Sequence, residues 1–453
     1  MDEIKHREQV ELIREVFHYQ SRFDGKTIVL KIDYPILGEP HFPLLMKDLA
    51  LLRSTGIEIV LVPGSKEWID AVLSEYDITS EFLDGVRLST AESIPFIRMA
   101  AFDVATRLMT QLSGFGANAV VGNFVRARGR GVVGGIDFEH SGLVDKILVE
   151  PLQHLLNQGM IPIFPCIGWN AAGKPYNLSS DEIALAVCEA LQAEKLFFVT
   201  PSDGFTSQRY TLPSGLVLTG DGRVARLSLD EADEVLKLNP LESLSNSQTV
   251  ELRYLKMGLQ ACRKGCERAH IIDGRMEGSV LREIFSNLGI GTMVYDSDYE
   301  AIRSMQVEDI SEVLNLMQPL VDKGILVPRS EETIANALAD YVVYEIDGVV
   351  HACGALHVFD DQAELAAIAT NPTYAHLNMG RKILGFLIDK AHRLRLTRVF
   401  ALTTRTLDWF EQLGFTETDL ASLPPARQAT YNHKRKSRIF ALELSQAHEG
   451  PER

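Results

Sequence analysis

Two rhythms of apolar and polar positions divide the chain. From Thr27 onward, short apolar runs at 27–32, 57–62, 119–125, 161–164, 195–200, 270–272 and 292–295 alternate with amphipathic stretches. The runs have strand length and are apolar almost throughout, which predicts strands buried on both faces. The stretches near 43–54, 144–157, 180–192, 247–261 and 279–287 space their apolar residues as one helical face does. Strand–helix alternation of this kind predicts an α/β domain, a largely parallel sheet with helices on both faces. Ahead of it, residues 9–23 predict an amphipathic helix with Val10, Ile13, Val16 and Phe17 on one face. That face packs either on its own domain or on a neighbouring subunit.

A polar segment, 296–304, reads as a linker, and a second α/β unit follows it. Helices are expected at 307–318 and 329–338. A hairpin, 341–346 with 349–358, is expected next, turned at Asp347-Gly348, a dipeptide suited to the positive φ angles of a tight hairpin turn. The stretch Glu364–Phe415 organises this unit. Its first strand, Glu364–Thr370, stops at Asn371-Pro372, because proline offers no ladder donor and holds its predecessor extended. The loop Tyr374–Arg381 runs into a helix with Ile383, Leu384, Leu387 and Ala391 on one stripe. The strand Val399–Thr403 and an aromatic turn at Trp409-Phe410, closed by Gly414, complete the stretch, and Ser437–Leu444 forms a last strand. The expected division is a domain at 1–295, the linker 296–304, a domain at 305–447 and a tail at 448–453.

Charge and composition narrow the function. A chain of 453 residues is too long for one core. A net charge of −16 argues against nucleic acid or an acidic membrane as a general partner. Any phosphate-bearing ligand must then be held by a local basic pocket. No apolar run has the length of a membrane span and Met1–Glu8 lacks an apolar signal region, so a cytoplasmic protein is expected. The five cysteines form no CxxC pair, and no metal site is expected. Arg381 and Lys382 fall in the first turn of their helix, where the macrodipole disfavours cations. They form either a solvated basic turn or, with the free amides of that turn, a site for an anion.

Those residues carry a resemblance. Glu364–Leu444 resembles the acetyltransferase domain of the GNAT class, in which a strand, loop and helix hold the pyrophosphate of acetyl-CoA. Gly380 fits the last position of that class's basic-x-x-Gly-x-Gly loop, while Ala375 and Asn378 replace the usual basic residue and glycine. Residues 26–295, with Pro175–Ala184 and His270–Arg275, resemble the amino-acid-kinase fold of arginine-regulated acetylglutamate kinases and synthases. Gly324–Ser330, Leu402–Arg405, Trp409–Phe415, Leu423–Arg427 and Arg435–Ser437 are similar to the N-acetylglutamate synthase family of kinase-like-plus-acetyltransferase chains.

The resemblance implies acetyl transfer from acetyl-CoA to the α-amine of L-glutamate, with L-arginine as a feedback inhibitor and a hexameric homo-oligomer. It implies Glu364 as the base and Thr403 as the acid toward the departing thiolate, since Phe410 stands where many acetyltransferases have a tyrosine. A half-buried carboxylate can be shifted toward neutral pH for such a task. Arg329, Arg435 and Ser437 match the glutamate-binding positions. Ile368, Ala369, Thr370, Ala375, Leu377, Met379, Gly380, Arg381 and Phe410 match positions that contact the cofactor, with backbone amides near Ile368 facing the developing oxyanion. Tyr19, Lys256, His270, Glu283 and Gly289 match an arginine site, where a carboxylate such as Glu283 can fork a guanidinium. The kinase motifs are incomplete: Lys31, Asn177 and Asp181 match, but Asp33-Tyr34 and Pro63–Lys66 replace the glycines that cradle phosphate. A silent kinase fold is expected. A bifunctional synthase–kinase and a non-catalytic arginine sensor remain as alternatives.

Overall fold

The computed structural model describes residues 23–444 except 84, 215, 217, 241–244, 286–288, 297–299, 347, 373–377 and 406. The helix expected at 9–23, but for Phe23, and the tail at 448–453 lie outside the described residues. The chain forms two units, Met1–Ser297 and Asp298–Arg453.

In the first unit the strand Thr27–Ile32 is buried at every position. Its alternate side chains feed two cores. Val29 packs with Val60, Ile183, Val187 and Leu255 on one face, and Ile28 and Leu30 pack with Leu45, Leu49 and Leu108 on the other. Each such side chain contributes roughly 1.5–3 kcal/mol on burial. This strand is central in an eight-stranded sheet. Glu58–Pro63, Ile161–Ile163 and Ala119–Val121 lie on one side, and Lys195–Thr200, Arg268–Asp273, Thr292–Tyr295 and Arg226–Ser228 on the other. The Arg268–Asp273 and Thr292–Tyr295 pair is antiparallel, and the rest of the sheet pairs in parallel.

Three local readings change. The run 119–125 is two strands, Ala119–Val121 and Val125–Gly129, and the second belongs to a separate four-stranded sheet. Residues 144–147 continue the strand Gly142–Ile147 of that sheet, and the helix starts only at Val149. β-Branched Val144 and Ile147 suit a pleated surface better than a helical first turn. The helix Ile94–Gly114 was not expected, although Ile97, Ala101, Val104, Leu108 and Leu112 form its buried stripe.

The second unit is a seven-stranded sheet in the order Glu300–Ser304, Tyr341–Ile346, Val349–Phe359, Gln362–Thr370, Arg398–Thr403, Arg438–Glu443 and Thr416–Thr418. Residues 300–304, read as linker, are thus its first strand, paired antiparallel to Tyr341–Ile346. On one face Tyr341, Val343, Cys353, Ala355 and Ala369 pack under the helices Ile310–Asp322 and Glu331–Asn336 through Val313, Met317 and Ile334. The helix Met379–Arg393 covers the other face. Gly354 lets it approach, since a Cβ there would lie 2.6 Å from Ile383 Cγ2.

The sheet is split at its centre. Gln362–Thr370 pairs with Arg398–Thr403 only at Gln362↔Arg398, Ala363↔Val399 and Glu364↔Phe400. On its other side it remains bonded to Val349–Phe359, with a bulge where Ala366 and Ala369 face Ala355 and Cys353. Ala367, inside the bulge, has φ of 55°. The bulge bends the strand away from its neighbour. A wedge therefore opens beyond Glu364.

Candidate active site

Glu364 stands at the apex of the wedge. Its side chain is 12 % exposed, and both oxygens are held by Arg427, Nε to Oε2 at 2.5 Å and Nη2 to Oε1 at 3.1 Å. The sequence suggested a half-buried carboxylate; the structure seats it in a guanidinium fork. Arg427 comes from the short helix Pro425–Ala429. It is the site residue missed by sequence reasoning, which noted the Leu423–Arg427 motif without giving its arginine a role. Thr403 is buried on the other arm, and its Oγ1 accepts from Arg405 N at 3.3 Å. It lies three residues beyond Phe400, the partner of Glu364, or roughly 10 Å along the strand. Base and acid candidates thus sit at different depths of one cleft.

Ile368, Ala369 and Thr370 line the unpaired edge of the Glu364 strand, where backbone groups face the wedge rather than a neighbouring strand. Asn378, with φ of 51°, starts the helix Met379–Arg393. Its carbonyl accepts from the amides of Arg381 and Lys382, and among the described residues the amides of Met379 and Gly380 have no acceptor, as first-turn amides do. Met379 is buried, Arg381 is exposed, and a Cβ on Gly380 would lie 3.5 Å from Thr370 and 3.8 Å from Trp409. Ala375 and Leu377 lie outside the described residues. The two basic residues of the first turn do not converge: Lys382 reaches inward to Tyr344 Oη at 3.0 Å. Phe410 is also turned inward, against Phe415 and Phe440, and Trp409 is the ring that meets Gly380.

Arg329 and Arg435 come together from positions far apart in sequence. Arg329 is half-buried beside Tyr341 and ahead of the Ser330-capped helix. Arg435 turns in from the basic run 433–438 and donates to the carbonyls of Gly324 and Ile325, while Lys434 and Lys436 stay exposed. Burial, and then the nearby Arg329 guanidinium, lower Arg435 from its ordinary range. Two cations held this close favour an anion between them. Half-buried Ser437 is fixed by its own carbonyl, which accepts from Tyr431 Oη at 2.7 Å. Cys353 is fully buried, and burial pushes its thiol up to about 12. It lacks the thiolate character a covalent acetyl carrier needs.

In the first unit His270 and Glu283 form a buried pair, Nδ1 to Oε1 at 2.7 Å. The amides of Ile290 and Gly291 donate to Oε2 at 2.6 and 3.0 Å. Gly289, with φ of 54°, passes so close that a Cβ would lie 2.6 Å from that oxygen. Burial lowers His270 despite Glu283. Burial alone would raise Glu283, but the bond and charge of His270 and then the two amides bring it below the usual carboxylate range. Both oxygens expected to fork an arginine are therefore already engaged inside the protein. Lys256 is exposed on the helix Asn246–Arg263, and Tyr19 lies outside the described residues.

The kinase-like cavity, about 690 Å³, is lined by Lys31, Asp33, Ser65, Asn177 and Asp181 among others. Lys31 Nζ is held by Asp33, by Tyr254 Oη at 2.6 Å and by Asp181 at 3.2 Å. Thr200 donates to Asp33 Oδ2 at 2.5 Å. The lysine that would meet a phosphate is matched by carboxylates of its own domain.

Comparisons with known proteins agree with this division. The amino acid kinase family matches residues 26–273 and the acetyltransferase (GNAT) family residues 310–415. The amino-acid acetyltransferase of Shewanella oneidensis is 34% identical over 97% of this chain and 99% of its own. That of Aliivibrio fischeri is 33% identical over 95% and 97%. The crystal structure of N-acetylglutamate synthase from Neisseria gonorrhoeae with coenzyme A and L-arginine matches with a TM-score of 0.81 at 31% identity, covering 96% of this chain and 99% of that one. The same enzyme with coenzyme A and N-acetyl-glutamate matches with a TM-score of 0.58 over the same shares. With an amino-acid-kinase fold joined to a GNAT unit and relatives matching end to end, the chain belongs to the amino-acid acetyltransferase family of N-acetylglutamate synthases.

Proposed function

We propose that this amino-acid acetyltransferase moves the acetyl group of acetyl-CoA directly to the α-amine of L-glutamate. The observation that carries the reading is the cleft itself. A carboxylate stands at the apex of a split sheet, and among the described residues one arm of its strand has no paired neighbour and two adjoining arginines pair with no carboxylate. The α-ammonium gives a proton to Glu364, the amine nitrogen attacks the thioester carbon, and the oxyanion is held by amides near Ile368. The C–S bond then breaks as Thr403 gives its proton to the thiolate, and the hydroxyl is restored by the second proton that the nitrogen sheds as the amide forms. Arg329, Arg435 and Ser437 hold the two carboxylates of glutamate. The amides of Met379 and Gly380 with Arg381 take the pyrophosphate of acetyl-CoA.

The first unit serves regulation. L-Arginine inhibits by binding near His270, Glu283, Gly289 and Lys256, and its guanidinium competes with the internal partners of Glu283. The chain works in the cytoplasm as a homo-oligomer, a hexamer by family likeness. No helix among the described residues is long and apolar enough to cross a membrane. The lock of Asp33 on Lys31 speaks against a working kinase. Product identification tests the reading: acetyl-CoA and L-glutamate yield N-acetylglutamate by mass spectrometry, and ATP with N-acetylglutamate yields no ADP. ADP formation would restore the bifunctional reading.

A further inference from the structure

The proton that leaves the substrate amine has to reach solvent, and Glu364 is poorly placed to deliver it. Its side chain is 12 % exposed, and Arg427 holds both oxygens. Directly across the ladder, on Val349–Phe359, stands His357. Opposed residues of an antiparallel pair leave the sheet on the same face with Cβ atoms about 5 Å apart. The imidazole is 25 % exposed, twice as open as the carboxylate. Its Nδ1 lies 2.7 Å from Asp340 Oδ2, on a side chain 37 % exposed. A carboxylate partner can only accept, so Nδ1 carries the hydrogen and Nε2 is left as the basic nitrogen. The ring is further fixed by Tyr341, whose centroid is 5.9 Å away at 76°.

We propose that His357 is a proton-relay residue, passing the proton taken by Glu364 to solvent. The inference rests on Glu364 being the base and goes beyond it. In the relay the Glu364 carboxyl returns its proton through a water molecule to His357 Nε2. The imidazolium so formed is stabilised by Asp340 and loses the proton to bulk solvent. No electrons move, and the carboxylate is regenerated for the next turnover. The charged and titratable groups around the imidazole are Asp340 before the Tyr341 strand with Lys390 facing it, Tyr341 with Arg329 facing it, Glu364 on the facing strand and Arg427 behind Glu364.

Steady-state kinetics of the full chain, with circular dichroism as a folding control, test the relay. His357→Phe and the more conservative His357→Gln are each expected to lower kcat about tenfold or more with KM for glutamate changed less than about twofold, within the span of acid–base contributions. Added imidazole is expected to restore turnover of His357→Ala in proportion to its concentration and to leave the parent enzyme unchanged. Turnover of His357→Gln equal to the parent would overturn the relay, and so would a lowered kcat that imidazole cannot restore. Glu364→Gln is run in parallel. If it stays fully active, the reading of Glu364 fails; if it alone is slow, only the relay fails.

Discussion

The two units treat their buried charges in opposite ways. In the kinase-like unit every central charge named above is answered from within: Lys31 by Asp33 and Asp181, and Glu283 by His270 and two amides. In the acetyltransferase unit Glu364 is answered by Arg427, while Arg329 and Arg435 lie beside each other and neither pairs with a carboxylate among the described residues. A saturated cluster holds a fold together and has little to give a ligand. A cationic surplus is electrostatically incomplete until a dicarboxylate arrives. Burying opposite charges together is tolerable only when they meet well, and the first unit satisfies that condition without substrate.

The sharpest way to break the contrast is at the apex. Glu364→Gln is expected to cut kcat by about 10²–10⁴-fold while acetyl-CoA affinity, read by calorimetry, stays nearly constant. Next in size, Asp33→Ala should leave acetyl transfer unchanged and destabilise the first unit by about 3 kcal/mol in denaturant unfolding. That is the low end for a broken buried pair, because Asp181 still faces Lys31. A loss of acetyl transfer with no loss of stability would invert the roles assigned to the two units. Arg435→Ala should lower kcat/KM for glutamate by about tenfold to a hundredfold, the worth of one or two charge-assisted hydrogen bonds.

The smallest effect expected is a pH dependence of stability in the first unit. His270 is lowered, so the unfolded chain binds a proton first as pH falls below about 6.5, and stability falls with it. Glu283 is also lowered, so its contribution, present above about 4.3, is lost as pH falls further through the folded value. Unfolding followed from pH 7 to about pH 5 should show the His270 part, and His270→Gln should flatten it. A profile unchanged by that substitution would mean the pair does not titrate on unfolding.

Much of this was legible in the sequence because it depends on local pattern. The buried strands of the first unit, the hairpin strands at 341–346 and 349–359 and the helix from Met379 are each written in hydrophobic spacing. Glu364, Thr403, Arg329 and Arg435 could be named because motif order survives even where the pyrophosphate loop departs from its pattern. What could not be read depends on pairing. That Glu364–Phe400 is the last rung of its ladder, and that Ala367 bulges the strand beyond it, is decided by two strands meeting. The Arg427–Glu364 fork spans 63 residues, and no local signal distinguishes Arg427 from an exposed helix arginine. The inward turns of Lys382 and Phe410 have the same origin: helix position is visible in sequence, but the side chain's destination is set by tertiary packing.

The central claim is that the surplus of cations in the split sheet serves a dicarboxylate whose amine is acetylated there, under control of the saturated unit. Release of free CoA thiol from acetyl-CoA, measured with L-glutamate and then with added L-arginine, tests it most directly. The account predicts thiol release that requires glutamate and that arginine suppresses. Thiol release indifferent to glutamate, or none at all while arginine still binds, would contradict it.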